Sequence, residues 1–381
     1  MKIKKRDDNG GCTIVIPTYN RSYYLKRLLS YYNEYLDRNK YKIIIADSSS
    51  CENKKQNKKI IEQFPGLGIL YLNEYPADIN MLSKICSVLC HIKSEYCVIC
   101  ADDDFITPQG IEQSISFLKK NDDFTVVYGL GFAFWLKHAQ ENKQHFYRGR
   151  IIQHSSVTFS EPKERLIYHL LNYVPTFYGV HRSDFLRTIF KELKEFTSDP
   201  VFGELFLSML TLIYGKMKCL DVFYTARDKG GNIKSNRQVF WLNDFIKKGC
   251  FKEKYSKFKE GLLIHLSKKY QSDALDIEEL KTAIDDAMSI YLANYMKGIK
   301  SAKKKLLICE IKDILNHFRI TSWMYGGIRL LYRKLFPACQ IRMDDLVSST
   351  GTPPSEHYEE IQHIYNHLLL FPIADKKGHV R

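Results

Sequence analysis

From residue 12 to residue 130, short β-branched apolar runs alternate with amphipathic helical stretches, and three of the runs stop abruptly at a polar cluster. CTIVIP (12–17) is continuous and apolar, as expected of a strand buried on both faces. PTYNR follows, then a helical pattern with Leu25, Leu28, Leu29, Tyr32 and Leu36 on one side. YKIIIAD (41–47) reads as a second strand, with a helix around 54–63 and a third strand, GILYL, at about 68–72. Met81, Leu82, Ile85, Val88 and Leu89 give helical spacing over 79–92. YCVICA (96–101) is a fourth strand that runs into Asp102, Asp103 and Asp104. Thr107 and Pro108 fit an N-cap and a first-turn proline, opening a helix to about 120 before a fifth strand, TVVYGL (125–130).

This order implies right-handed crossovers and an α/β domain with a mainly parallel central sheet. Ligands of open α/β sheets bind at the carboxyl ends of the strands. PTYNR, ADSSS and ADDD each follow a strand, so all three should gather along one edge of the sheet. After residue 131 the pattern loosens into a strand at 176–182, helices at 183–194 and 203–214, and a strand at 217–224. TARDKGGN (225–232) reads as a mobile loop, because its glycine pair and polar residues have little to bury. From about 240 the chain is helical with Lys-rich faces, and a loop at 348–356 precedes a last helix at 355–370. The expected division is a catalytic domain over 1–235 and a helical C-terminal region over 236–381.

Charge narrows the partners. A net charge of +14, from 57 basic and 43 acidic residues, draws anions. Nucleic acid is not expected, since the chain has no zinc finger, RNP motif or dense arginine stripe. Much of the excess lies after residue 240, away from the polar clusters, and so favours a membrane surface or an acceptor. WMYGGIRLLYRKLF (323–336) could rest on an anionic membrane or pack against a protein face. No apolar stretch approaches the roughly 20 residues needed to span a bilayer, and the basic N-terminus has no apolar core of a signal peptide. The expectation is a cytoplasmic chain with reduced thiols, peripheral at the inner face of the membrane. Cys97 and Cys100 form a CxxC, but an odd offset along a strand points them to opposite faces, against a shared zinc. His363 and His367 have i,i+4 spacing without an HExxH arrangement and read as surface residues.

The aspartate triplet carries the chemistry. Three adjacent carboxylates at the end of an apolar strand repel one another and need a compensating cation. Mg²⁺ or Mn²⁺ takes one or two protein carboxylates and fills its shell with water and substrate phosphate oxygens. Asp102 and Asp104, two positions apart, can face one ligand while Asp103 turns away. The plainer alternative is an acidic loop ahead of a helix.

TIVIPTYNR, IIIADSSS and ICADDDF together resemble the start of the family 2 glycosyltransferases, which have the GT-A fold, and are nearest a bacterial subgroup whose metal motif reads DDDF. The resemblance covers about residues 12–230. It implies that Pro17, Thr18, Tyr19, Arg21 and Asp47 hold the nucleotide, with Asp47 accepting from a base N–H such as that of uracil. It implies Asp102 and Asp104 at the metal, Asp103 beside the donor, and Lys84 near the diphosphate, where the family often carries an Arg-Asn pair. Arg227 would neutralise the leaving group. A general base is expected after the metal motif, with Asp199 the first candidate and Glu204 the second; Asp199 would otherwise simply cap a helix starting at Pro200. The chain departs from the family at Ala46-Asp47-Ser48-Ser49, where two acidic residues and a glycine are frequent. The implied activity is inverting transfer of a sugar from a UDP-sugar donor to a surface polysaccharide or lipid-linked glycan. A sugar-phosphate nucleotidyltransferase is the main alternative, but PTYNRSYYLKR lacks the glycine-rich loop such enzymes carry. A non-catalytic nucleotide-sugar-binding protein is another.

Overall fold

The computed structural model describes residues 11–138, 144–196, 199–229, 248–270, 276–295 and 358–371. The elements are β1 (Cys12–Thr18), α1 (Ser22–Tyr35), β2 (Tyr41–Asp47), α2 (Cys51–Ile61), β3 (Ile69–Leu72), α3 (Met81–Val88), β4 (Tyr96–Ile99), β5 (Asp104–Ile106), α4 (Pro108–Lys120), β6 (Phe124–His138) and β7 (Gln144–Ile152). They continue with α5 (Pro162–Leu171), β8 (Val180–Arg182), α6 (Ser183–Phe196), α7 (Pro200–Tyr214), β9 (Lys216–Asp228), α8 (Phe251–Tyr270), α9 (277–295) and α10 (Tyr358–Leu369).

One mixed sheet of order β3-β2-β1-β4-β8-β6-β9-β5, with β7 on β6, organises the molecule. Its first four strands are parallel, as the strand–helix alternation requires. β6 and β9 add a second parallel pair, and the short β8 joins the two groups by antiparallel pairing with β4 and β6. Period-two alternation along β1 sends Ile14 and Ile16 to one face and Val15 to the other. The first face packs on α1, where Leu25, Leu28, Leu29, Tyr32 and Leu36 are all buried. The second packs on α3, α6, α7, α8 and α9, through residues such as Ile85, Phe190, Phe206, Leu262 and Ile284. Cys97 and Cys100 fall in opposite layers and both are free thiols. Among the described residues no helix is long and apolar enough to cross a membrane.

Three local readings of the sequence are corrected. β6 does not end at 130 but continues to His138 and turns back as β7, a hairpin the loosened pattern concealed. The stretch 176–182 is a 3₁₀ turn, Thr176–Tyr178, and only then a strand of three residues. β9 runs through Asp228, so Thr225 to Asp228 are strand rather than loop. Burial of Tyr224, Ala226 and Asp228 keeps the period of two, and pairing to β5 on one side and β6 on the other uses the backbone that a loop would leave to water. Residues 230–232 and 323–336 lie outside the described residues.

His367 is also corrected. It is 1% exposed rather than a surface residue, because α10 buries Ile361, Ile364 and Leu368 in the layer that holds α1. Its Nε2 donates to the carbonyl of Arg27 at 3.0 Å.

Gly129 of β6 sits against β9 at a break in their register. A Cβ there would lie 2.3 Å from the Val222 carbonyl oxygen, a backbone atom that cannot swing aside. Gly129→Ala should therefore destabilise the fold by about 1–3 kcal/mol. The check is a lower denaturant midpoint at an unchanged m-value.

Candidate active site

The parallel register of β1 and β2 sets Pro17 beside Ala46 and Thr18 beside Asp47, so the first two polar clusters leave the sheet together. Hydrogen bonds then join them. Ser48 N donates to Thr18 O at 3.3 Å, Asn20 N to Ser49 Oγ at 2.8 Å, and Ser50 N to Asn20 Oδ1 at 2.8 Å. Asn20 turns the chain at φ +53°, a left-handed conformation that asparagine tolerates better than most residues. Tyr19 is thrown outward and is 48% exposed. Asp47 is fully buried; it accepts from Ser49 N at 2.7 Å, Asn57 Nδ2 at 2.8 Å and the Tyr71 hydroxyl at 2.6 Å. An ionised carboxylate has about four acceptor positions, so little of its capacity is left for a ligand.

Lys84 reaches from α3 beneath this rim. Its ammonium donates to Thr18 O at 3.0 Å and Ser48 Oγ at 2.9 Å. Burial lowers its pKa to about 8, although Asp102 and Asp47 favour its charged form.

The acidic cluster arrives from β4. Asp102 accepts from Thr18 Oγ1 at 2.7 Å and from Arg21 Nη1 at 2.9 Å, and the same Arg21 nitrogen reaches Asp103 at 3.0 Å. The third clusters with the first two as the sheet topology requires. The strand does not run straight through it, however. A turn closed by Asp104 N to Ala101 O, 3.1 Å, interrupts the strand, and Asp104 starts β5 facing β9. Asp102 and Asp103 therefore share a cation while Asp104 faces a different one. Asp104 accepts from Arg227 Nε and from Asp228 N, both at 3.1 Å. Burial, reinforced by repulsion from Asp103, raises the Asp104 pKa to about 7 despite Arg227. Burial also pushes Asp102 upward, against the pull of Arg21.

The two candidate bases have different settings. Asp199 caps α7, accepting at Oδ1 from Val201 N (2.8 Å) and Phe202 N (3.1 Å), while Oδ2 takes Lys254 Nζ at 2.7 Å. Glu204, one turn further along α7, accepts from the Tyr173 hydroxyl at 3.0 Å. Burial raises the Tyr178 hydroxyl pKa; Arg227 opposes that rise, and Asp104, Glu204 and Asp103 add to it. The guanidinium of Arg227 covers the same Tyr178 ring at 4.8 Å.

Arg27, Asp228, Tyr173 and Tyr178 were not singled out from the sequence. Arg27 carried a readable signal, a cation within the apolar pattern of α1. The other three are recognisable only from their neighbours in space.

The strand ends of this GT-A-type α/β sheet converge on carboxylates, hydroxyls and cations, and the family match over residues 13–193 supports a glycosyltransferase. Residues 13–193, which carry the rim and the acidic turn, match the model of glycosyl transferase family 2. Among solved structures, S. aureus TarS 1–349 in complex with UDP is 14% identical, with 74% of this chain and 70% of that chain covered and a TM-score of 0.46. The same protein in complex with UDP-GlcNAc is 14% identical over 77% of this chain and 92% of that chain, with a TM-score of 0.42. The mannosyltransferase PcManGT from Pyrobaculum calidifontis, in complex with GDP-Man and Mn²⁺, is 12% identical over 80% of each chain, with a TM-score of 0.41. No curated protein matches the chain significantly.

Lys84 gives the site a pH signature. Its folded-state pKa is about 8, against about 10.4 in an unfolded chain. Between these values the unfolded chain binds more protons, so stability rises with pH across that window, by up to about 3 kcal/mol from this residue. Urea midpoints at pH 8 and pH 10 should therefore rise more for the parent than for Lys84→Met.

Proposed function

We propose that this glycosyltransferase moves a sugar, with inversion, from a UDP-sugar to a hydroxyl of a surface polysaccharide or lipid-linked glycan, assisted by Mn²⁺ or Mg²⁺. The single observation that supports this most is the Asp104 carboxylate, buried, pushed toward neutrality and flanked by Asp103 at the end of the sheet. A divalent ion would relieve that repulsion and could in turn hold a diphosphate. The donor set fits such an ion in kind, since hard carboxylate oxygens suit Mg²⁺ and Mn²⁺ and one or two suffice when phosphate and water complete the shell. Among the described residues no three His, Cys, Asp or Glu side chains converge as a ready cage. Asp102 and Asp104 would hold the ion, which would supply charge stabilisation for the departing diphosphate.

The chain's own groups would do the rest. Pro17, Thr18, Tyr19 and Arg21 would form the nucleotide rim, with the exposed Tyr19 ring and Arg21 as its outward members, and Asp47 would take a base N–H only with the one acceptor position its three bonds leave. Asp103 stays beside the donor as the second carboxylate of Arg21. Lys84 and Arg227 bracket the place where negative charge grows. We assign the general base to Glu204 and helix capping to Asp199, because both Asp199 oxygens are engaged by the α7 backbone and Lys254. Glu204 would take the proton of the acceptor hydroxyl as its oxygen bonds to the anomeric carbon and the bond from that carbon to the phosphate oxygen breaks. The electron pair of that bond leaves with the diphosphate. Residues 1–235 would form the catalytic domain, with the helices after 236 supplying the wall on which α7 packs.

The test is UDP release from a panel of UDP-sugars with and without Mn²⁺. Asp104→Ala should weaken UDP retention at least about tenfold, the scale of losing a charge-assisted interaction. Glu204→Gln should keep binding but lower turnover by about 10²–10⁴-fold. Asp199→Asn should lower the melting point while turnover persists. Full turnover in Glu204→Gln would return the base role to Asp199, and no binding of any UDP-sugar by the parent would sink the whole reading.

A further inference from the structure

Arg27 is a charged residue in the middle of α1 and is 1% exposed. Its guanidinium lies between the rings of Tyr24 and Phe105, with centroids at 4.9 and 5.1 Å. Nη2 donates to the backbone carbonyl of Asp103 at 2.8 Å, and Nη1 donates to Asp228 Oδ2 at 3.0 Å. The Asp228 N–H in turn donates to Asp104 Oδ1. Behind it, the Arg27 carbonyl accepts from His367 of α10. One side chain thus joins the acidic turn to the end of β9, and its backbone joins both to the C-terminal helix.

Burying a guanidinium is unfavourable unless its charge and donors are matched, and an apolar residue could fill the space between two aromatic rings without that cost. What arginine supplies is a rigid fork able to hold two acceptors at a fixed separation. We propose that Arg27 is a positioning residue: by holding the Asp103 carbonyl and the Asp228 carboxylate together, it fixes the spacing of the acidic turn from β9 and hence the direction of the Asp104 carboxylate. The inference rests on the reading that this turn receives a nucleoside diphosphate. Arg27 itself does not touch the reacting atoms.

Arg27→Lys separates positioning from charge. Lysine keeps a cation against Asp228 but has no planar fork for both acceptors. The melting point should stay near the parent's, while amide hydrogen exchange at Asp104, Phe105 and Asp228 accelerates and exchange in β1 and β2 does not. The Kd for UDP in the presence of Mn²⁺ should rise about ten- to a hundredfold, as expected when binding groups are misplaced by about an ångström. Arg27→Met could fail to fold by removing the cation paired with the buried Asp228, so Arg27→Met with Asp228→Asn provides the second arm; it should fold, with the same local exchange and the same weakened binding. Parent-like exchange and UDP affinity in Arg27→Lys would overturn the proposal. So would exchange that rises evenly across the domain in step with a lower melting point, because that marks a purely structural ion pair. A parent that binds no UDP would defeat the functional reading instead, and the exchange comparison would still decide the role of Arg27.

Discussion

Carboxylates buried beside one another at the rim of a sheet must be neutralised from within the protein or by what binds there, and this constraint organises the molecule. Asp102 and Asp103 are held by Arg21, Asp104 by Arg227, and Asp228 by Arg27. In so dry a setting an uncompensated carboxylate takes up a proton or forces the turn open. Asp104 lies nearest that limit, since burial and Asp103 together outweigh its arginine. An added cation would have its largest effect there.

The cations come from elements distant in sequence, so the rim forms only when the whole sheet does. Arg227 is 123 residues from Asp104, and Arg27 is 201 residues from Asp228. Antiparallel pairing sets Asp104 against Arg227, while parallel pairing to β6 carries β9 far enough to deliver it. α7 follows the same logic on the other face. Its capping aspartate is anchored by Lys254 of α8, and Glu204 on the next turn accepts from Tyr173. The helices after residue 236 therefore share both core layers with the elements before it: α8 and α9 on one face, α10 on the other.

Much of this was readable from residue order where the signal is local. β-branched runs gave β1, β2 and β4, a stripe of leucines gave the buried face of α1, and Thr107 with Pro108 gave the start of α4. Strand ends placed PTYNR, ADSSS and ADDD together, and their hydrogen bonds follow. The β6–β7 hairpin and the last residues of β9 were less legible, because partners on both sides, rather than local composition, hold that backbone extended. His367 looked like a surface residue because a polar side chain on a short helix gives no sign of the carbonyl waiting for it.

The order of residues determined by itself that this is an α/β chain with carboxylates and hydroxyls at strand ends, since periodicity and strand–helix alternation depend on near neighbours alone. Tertiary structure decided how the charges pair. It paired Asp102 and Asp103 with Arg21 and Asp104 with Arg227, bound Asp199 into a helix cap and placed Arg27 under the acidic turn. Pairing energies between charges depend on distance and desolvation, and both are set only when segments far apart in sequence are packed together.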